Sequence, residues 1–266
     1  MAPSLKVPPT LVVYRGFAAT NNYVWSPFVT KLEARLRFAG LRYRIEQGSL
    51  GKAPRGKIPY VDITYDGSQG PVTMGDSSAI TKQLVNDGAC DDLNADLPPV
   101  GRAHDLAVQA LLEDKLYFFQ NHERWHENYE TMRNKVLAAL PYPVQLLVGL
   151  LAYRGVTRTL YGQGTGRFST EELATLRRAV WDNINALLAE ARLTAPNVTT
   201  PFWLQGGAEP TEADATVFGF IAAGLVCDAA PDTREVIQAY PVLVDYAKRI
   251  HDRYFDDYAS WEEAKE

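Results

Sequence analysis

The sequence predicts a small α/β domain followed by an all-helical domain, and two observations carry this prediction. Residues 1–90 alternate short β-branched and aromatic runs with helical spacing, in the order β-α-β-β-β-α. After residue 101 the apolar residues recur only at helical spacing. The stretch between, residues 91–100, is rich in Asp, Asn and Pro and is predicted to be a linker. The predicted domains are therefore residues 1–90 and 101–266.

The first part is predicted to form a mixed four-stranded sheet packed against helices. Its second strand is expected to run parallel to the first, because a helix connects them as a right-handed crossover. The first helix is expected to end at Gly40, which suits a left-handed cap, and the second to open at Asp76 or Ser77. The predicted strands are residues 11–15, 43–47, 60–65 and 71–74.

The second part is predicted to contain only helices, near residues 102–137, 143–161, 169–192, 211–229 and 235–254. The longest apolar run, residues 143–153, is about half the length that spans a bilayer. We interpret this run as a buried helix, and a peripheral membrane contact is the alternative.

Composition and charge exclude several classes of protein. The 266 residues include 46% hydrophobic and 22% charged residues, as in ordinary globular proteins. A net charge of −5 gives no reason to expect nucleic acid or an anionic membrane as partner, so a small-molecule partner is expected. Two cysteines, Cys90 and Cys227, make no disulfide framework, and the first residues lack the apolar core of a signal peptide. We expect a cytoplasmic protein without a transmembrane segment.

Two short motifs lie where strands meet other elements. In KIPYV, a proline at the start of a strand cannot donate to the sheet, so Pro59 is expected at an edge, in a cis Ile58-Pro59 bend, or in an ordinary trans turn. In GDSSAI, Asp76 and Ser77 lie where a strand passes into a helix. Free N–H groups there favour a bound carboxylate, and Asp76 suits an ammonium group, although an ordinary N-cap explains the same residues.

A third motif, WSPF, places Ser26 before a proline at the start of the first helix. Proline suits the first helical position, so Ser26 is interpretable as a simple N-cap. A hydroxyl at a helix N-terminus is also suited to stabilising a nearby thiolate, since the N–H donors there lower the pKa of a thiol.

Together these motifs resemble the glutathione transferase superfamily. SPFVTKLEARLRFAGLRY matches its first helix, RGKIPYV its cis-proline segment, GDSSAI its acidic-Ser motif, and PTEADATVFGFIAAGL its capping box, with Thr211 as N-cap and Asp214 at N3. Within the superfamily, the sequence is most similar to the failed-axon-connections group, relatives of the metaxins, in its SPF…KLEARLR start and in the segments LEDKLYFFQNHERW and GQGTGRFSTEEL. The resemblance implies a thioredoxin-like first domain, glutathione as co-substrate, and a homodimer.

The resemblance also implies roles for individual residues. The backbone of Ile58, before Pro59, is expected to meet the cysteinyl part of glutathione, and Lys57 its glycyl carboxylate. Asp76 and Ser77 are expected to bind the γ-glutamyl amine and carboxylate.

Ser26 corresponds to the hydroxyl that hydrogen-bonds the glutathione sulfur in serine-type enzymes. The segment before it is longer than in most transferases, so Tyr23 or Asn22 is an alternative contact for the thiol. Related proteins use Cys-Pro-x-Cys or Cys-Pro-Phe here, whereas this chain has Ser26 first and Val29 fourth, which excludes dithiol chemistry at this site. A small hydrophobic electrophile is the expected second substrate, with binding residues Tyr23, Trp25, Tyr117, Phe118, Arg124 and Trp125.

The stretch HERWH is typical of zinc peptidases, because His122 and His126 would share one helical face beside Glu123. A catalytic zinc needs a third protein ligand, and the remaining histidines, His104 and His251, are not at the usual downstream spacing. We therefore expect no metal here, and a solvated or pocket-edge face instead.

Two classes of function remain open from the sequence. One is a glutathione transferase acting in detoxification or secondary metabolism, and the other is a non-catalytic binding or adaptor protein of the same fold. The set of Lys57, Ile58-Pro59 and Asp76-Ser77 favours the transferase, because an adaptor has no physical need of a site for the γ-glutamyl group.

Overall fold

The computed structural model describes residues 8–17, 21–195 and 197–263. Its sheet has four strands in the order β2-β1-β3-β4. β1 pairs in parallel with β2 and antiparallel with β3, and β3 pairs antiparallel with β4. This is the mixed sheet that the sequence predicts. The strands are β1 (Thr10–Tyr14), β2 (Tyr43–Glu46), β3 (Tyr60–Thr64) and β4 (Val72–Gly75).

Two helices, α1 (Pro27–Phe38) and α2 (Ser77–Asn86), pack their apolar residues against the sheet. α1 begins at Pro27 because proline is preorganised for the first helical position. It ends before Gly40, whose φ of 66° suits a residue without a Cβ atom. The core between them contains Leu11, Val13, Leu32, Leu36, Leu41, Val61, Ile63, Ile80 and Leu84.

The second part is helical, and the region after the sheet contains no strand among the described residues. The predicted linker is shorter than expected, because α3 already begins at Pro99. The predicted helix over 102–137 is a rod with two π-helical segments and a break at Asn128, and the predicted helix over 235–254 is divided by Pro241, which begins a new helix. The elements are α3 (Pro99–Ala110), a π-helix (Leu111–Leu116), α4 (Tyr117–His122), a π-helix (Glu123–Glu127), α5 (Tyr129–Val136), α6 (Tyr142–Gln163), a 3₁₀ turn (Thr165–Arg167), α7 (Thr170–Leu193), α8 (Glu212–Val226), α9 (Pro231–Gln238) and α10 (Pro241–Tyr254).

The helical core is built around α8, in which every residue from Ala213 to Leu225 is buried. The predicted capping box begins this helix: the Thr211 N–H and hydroxyl donate to Asp214 at 2.8 and 2.9 Å. Leu204 N–H and the Tyr246 hydroxyl also donate to this carboxylate. Burial raises the pKa of Asp214 to about 6, while these donors act in the opposite direction.

The sheet and the helical part meet where α1 packs on α8. Gly219 makes this approach possible, because a Cβ atom there would lie 2.6 Å from the Pro27 carbonyl oxygen and 2.8 Å from the Lys31 backbone nitrogen. α1 is consequently buried on both sides, including its charged residues Lys31, Glu33 and Arg35.

One interpretation of the sequence is wrong. The apolar run over residues 143–153 is mostly exposed, since it forms the first half of α6, and Leu147 and Leu151 are about three-fifths accessible. Within the described ranges no single helix is long and apolar enough to cross a membrane. By length and composition alone, α8 and α9 together would suffice, although they meet at an angle of 117°.

Gly219→Val should destabilise the protein, because the added carbons meet backbone atoms of α1 that cannot move aside. We expect a loss of about 1–3 kcal/mol in the free energy of unfolding, measured by denaturant titration. Gly155→Ala is the matched control, since nothing lies within 4 Å of a Cβ atom at that position. Because Gly155 lies within a helix, its replacement by alanine should raise the free energy of unfolding by about 0.5–1 kcal/mol. Equal effects of the two changes would contradict close α1–α8 packing.

Candidate active site at the sheet edge

The predicted site residues from the first part of the chain lie at one edge of the sheet. Tyr60, which opens β3, pairs with Tyr14 at the end of β1 and with Gly75 at the end of β4. This register places the segments that precede Tyr60 and follow Gly75 at the same edge. The Ile58-Pro59 bond is cis, which is one of the three alternatives that the sequence allows. Gly16, just beyond β1, lies so close that a Cβ atom there would be 2.0 Å from Ile58 Cδ1.

Asp76 has an unusual backbone conformation at this edge. Its φ of 80° and ψ of 116° are rare for a residue with a side chain, and such conformations cost of order 1–3 kcal/mol and concentrate at functional sites. Asp76 Oδ1 accepts the Ala79 N–H at 3.0 Å and so caps α2. Asp76 Oδ2 lies 4.0 Å from Arg55 Nη1, and half of the Asp76 side chain is exposed. Ser77, the next residue, is buried at the first position of α2.

Ser26 lies at the N-terminus of α1. Its carbonyl accepts the first helical N–H groups, from Val29 at 3.2 Å and Thr30 at 3.4 Å, but its hydroxyl caps no backbone N–H among the described residues. Ser26 is also partly accessible. Its hydroxyl is therefore available to an external group, which a simple N-cap would not provide.

A basic loop borders this edge. Lys57 is exposed, and so are Lys52 and Arg55 in the same loop. The sequence-based interpretation selected only Lys57 and missed Arg55, which the structure places beside Asp76. The signal that would have found it is the run GKAPRGK, with three basic residues in seven positions of a chain of net charge −5.

Tyr23 is held inside the helical part. Its ring contacts Phe218, Phe255, Tyr258 and Trp261, and its hydroxyl lies 2.8 Å from His251 Nδ1. Burial raises the pKa of Tyr23 well above its usual range. The backbone of its alternative, Asn22, pairs with Ala259 near the C-terminus. The Tyr23 hydroxyl is therefore already engaged inside the helical part of the chain.

The rod of α3 to α5 supplies the remaining predicted contacts. Tyr117 is half-buried, with its ring edge-to-face with Phe28 of α1 at 4.9 Å, and Phe118 packs beside it at 5.4 Å. Arg124 is buried, and its Nη1 donates to the Trp25 carbonyl at 2.9 Å. These residues approach the start of α1, where Ser26 lies.

Trp125 points elsewhere, because its buried ring lies 6.4 Å from that of Tyr129 in α5. The Trp25 side chain is likewise buried, in a cluster with Cys227, Ala229 and Ala230. A second residue was missed: Gln120, a turn before Arg124, has a buried side-chain amide without a hydrogen-bond partner in the described part of the chain. Its pattern in the sequence does not distinguish it from a surface glutamine.

Neither cysteine has the environment of a nucleophile. Burial raises the pKa of both the Cys90 and the Cys227 thiol, and the nearby Arg35 and Arg124 only partly oppose it. Both are free thiols. A reactive thiolate at this edge would therefore come from a bound molecule.

The HERWH stretch has structural contacts of its own. Glu123 is fully buried and accepts both the N–H and the hydroxyl of Thr233, at 3.0 and 2.5 Å, while Arg177 Nε lies 3.4 Å away. The His122 and His126 rings stack in parallel with centroids 4.7 Å apart. Burial, reinforced by His122, lowers the pKa of His126. In the part of the chain that is described, no group of three or more His, Cys, Asp or Glu residues is arranged to hold a metal ion.

Comparison with protein families identifies the class of protein. The model of the glutathione S-transferase N-terminal domain matches residues 27–132, and that of the glutathione S-transferase C-terminal domain matches residues 200–250. These two matches together span more than half of the chain and occur in the order of the two parts of the fold. The chain therefore belongs to the glutathione S-transferase superfamily.

Solved structures share this fold. A glutathione transferase family member from Pseudomonas fluorescens Pf-5, with two glutathione bound, is 14% identical over 94% of this chain and 92% of that chain, with a TM-score of 0.56. FzlA from C. crescentus is 15% identical over 94% and 90% of the two chains, with a TM-score of 0.55. A glutathione S-transferase from Xanthobacter autotrophicus Py2 is 15% identical over 91% and 92%, with a TM-score of 0.51. At these identities the likeness establishes the fold alone.

Glu123→Gln should destabilise the fold, because it removes the fully buried carboxylate that pairs with the Arg177 guanidinium and leaves only the more exposed Glu127 and Asp232 as partners. We expect a loss of about 3 kcal/mol in the free energy of unfolding by denaturant titration. Glu130→Gln, at an exposed position on α5, is the matched control and should change it by less than about 0.5 kcal/mol. A chelator should leave the melting temperature of the wild type unchanged. A fall in melting temperature with chelator, reversed by zinc, would contradict this structural role.

Proposed function

We propose that the protein binds glutathione at the sheet edge and activates its thiol for attack on a small apolar electrophile. The observation that carries the proposal is the conformation of Asp76, which holds its half-exposed carboxylate beside the N-terminus of α2, with Oδ2 4.0 Å from Arg55 Nη1. Strain of this kind persists only where the surrounding structure maintains it. The Pseudomonas fluorescens protein of the same fold, solved with two glutathione bound, is consistent with this proposal.

The two ends of glutathione would bind at different places. Asp76 Oδ1 is occupied by its cap to α2, so Oδ2 would accept the γ-glutamyl ammonium group. Ser77 and the first N–H groups of α2 would bind the γ-glutamyl carboxylate, because the positive end of the helix dipole lies there. Lys57 would pair with the glycyl carboxylate. The backbone of Ile58 would align the cysteinyl part.

The thiol would then face the start of α1. The sulfur gives up its proton to solvent, and the Ser26 hydroxyl donates a hydrogen bond to the resulting thiolate. The sulfur lone pair forms a bond to an electrophilic carbon of the second substrate. In a substitution, a leaving group departs from that carbon with its bonding electrons. In an addition to a double bond of the second substrate, the neighbouring atom takes up a proton from solvent. Tyr117 and Phe118 would line the apolar side of the second site.

A second candidate is a non-catalytic binding or adaptor protein, as the resemblance to the failed-axon-connections and metaxin-like group implies. The buried hydrogen bond from Arg124 to the Trp25 carbonyl favours it, because it engages a predicted substrate contact in joining the two parts of the chain. We further propose a cytoplasmic homodimer, with detoxification or secondary metabolism as its context.

Glutathione binding should depend on the charge of Asp76 separately from its role in the fold. Asp76→Asn keeps a side-chain oxygen for the N-cap and tolerates positive φ, so stability should change by less than about 0.5 kcal/mol. Its affinity for glutathione in calorimetry should still fall by roughly tenfold, since an ammonium group loses its charged partner. Asp76→Ala with Ser77→Ala should lose both binding and about 1 kcal/mol of stability. No binding by the wild type at millimolar glutathione would refute the proposal.

Ser26→Ala should raise the pKa of bound glutathione by about one unit, or about 1.4 kcal/mol, in ultraviolet difference titrations. Because the hydroxyl caps no N–H, stability should change by less than about 0.5 kcal/mol. Ser169→Ala is the matched control: Ser169 caps α7, so its loss should cost about 1 kcal/mol and leave the thiol unchanged. Glutathione binding without any depression of the thiol pKa in the wild type would favour the non-catalytic candidate.

A further inference from the structure

α5 and α6 form a hairpin whose outer end we call the α5–α6 tip, residues 136–153. Few side chains hold α6 against the rest of the protein, since only Gly149 and Leu160 are buried in it. Residues 133–199 lie between the two segments that match the superfamily models. The α5–α6 tip is therefore additional to the elements that build the sheet-edge site.

The α5–α6 tip concentrates the exposed apolar surface. Seven of the fifteen large hydrophobic residues exposed in the described chain fall within these 18 residues. Scattered exposed leucines are normal on a protein surface, but a contiguous group marks a surface that another molecule covers. The seven are Val136, Tyr142, Val144, Leu146, Leu147, Leu150 and Leu151.

The charges that flank the α5–α6 tip in the sequence share one sign. Residues 136–153 contain no charged residue, Lys135 precedes them, and Arg154 and Arg158 follow. From residue 131 to residue 170 there are five basic and no acidic residues, although the whole chain has a net charge of −5. Lys135, Arg154 and Arg158 are exposed, and none of them makes a salt bridge within the described ranges.

The apolar and basic residues lie on one face of α6. Val144, Leu147 and Leu151 are followed by Arg154 and Arg158 at alternating spacings of three and four, which keeps all five on one stripe. Val144 and Leu151 are about 10 Å apart along the axis, at 1.5 Å per residue. A helix that lies in the plane of a bilayer buries such a face about 5–10 Å into the boundary between headgroups and acyl chains. The long arginine side chains of the same stripe would then reach the phosphates.

A second copy of the chain is a poorer occupant of this stripe. An antiparallel pairing of two α6 helices would cover Arg154 and Arg158 with leucines, and the segment offers no carboxylate to pair with them. Burying unpaired guanidinium groups opposes such an interface. Anionic phospholipid supplies both the apolar layer and the negative charges.

We propose that the α5–α6 tip inserts shallowly into the surface of an anionic phospholipid bilayer. Val144, Leu147 and Leu151 enter the interface, and Lys135, Arg154 and Arg158 contact the lipid phosphates. This inference does not depend on glutathione binding, because the surface is separate from the sheet edge.

Flotation of the full chain with vesicles tests the proposal. The wild type should partition at least roughly tenfold more strongly onto vesicles of phosphatidylcholine with phosphatidylserine than onto phosphatidylcholine alone, and salt should weaken the binding. Leu147→Glu with Leu151→Glu should reduce partitioning at least roughly tenfold. Arg154→Gln with Arg158→Gln should reduce it by a similar factor on the anionic vesicles only.

Leu106→Glu with Leu193→Glu is the matched control, because these leucines are 67% and 86% exposed outside the α5–α6 tip and acquire the same charge. The control should float like the wild type, and glutathione calorimetry should be the same for both leucine pairs. The proposal would be overturned if the wild type bound neither kind of vesicle. It would also be overturned if the Leu106/Leu193 control lost as much vesicle binding as the Leu147/Leu151 variant. A dimer seen by light scattering that only the Leu147/Leu151 variant loses, without vesicle binding, would assign the surface to a second copy instead.

Discussion

The close packing of α1 on α8 is the constraint on which the rest of the structure depends. Gly219 lets the two backbones touch, so α1 is enclosed between the sheet and the helical core. Enclosure forces its charged residues out of water, and each needs a partner. Lys31 pairs with Glu113 and Arg35 with Glu212, both at 2.5 Å. These pairs connect the two parts of the chain by contacts that only one arrangement satisfies.

This arrangement also decides where Ser26 lies. The segment before it is tied to the helical part through Tyr23 and His251, through the Trp25 carbonyl and Arg124, and through Asn21 and Ala259. The start of α1 is thus positioned by the second part of the chain as much as by the sheet. By contrast, Asp76 and the cis-proline bend are positioned by the register of β3 and β4 and by the N-cap that Asp76 provides to α2. The proposed thiol contact and the proposed γ-glutamyl contact therefore depend on different structural supports.

The net charge of this protein and the local charge around the α5–α6 tip have opposite signs. The net charge of −5 argues against an anionic partner when the chain is treated as a uniform object. The basic residues around the α5–α6 tip have the opposite sign, and a field within about 10 Å is dominated by local charges at physiological salt. Buried acidic residues such as Asp214 contribute to the net charge, but they do not face an approaching molecule. The local distribution, and not the sum, is what an approaching surface would meet.

The sequence by itself determined the order of elements, the sheet of four strands, the starts of α1, α2 and α8, and the motifs at the strand ends. Those features depend on local periodicity, proline and capping chemistry, which neighbouring residues carry. Tertiary structure decided that the apolar run of α6 is exposed while Lys31, Glu33 and Arg35 are buried. It also decided that Tyr23 bonds to His251 and that Arg55 lies beside Asp76. Burial and pairing between distant residues depend on which surfaces meet, and periodicity within one segment does not contain that information.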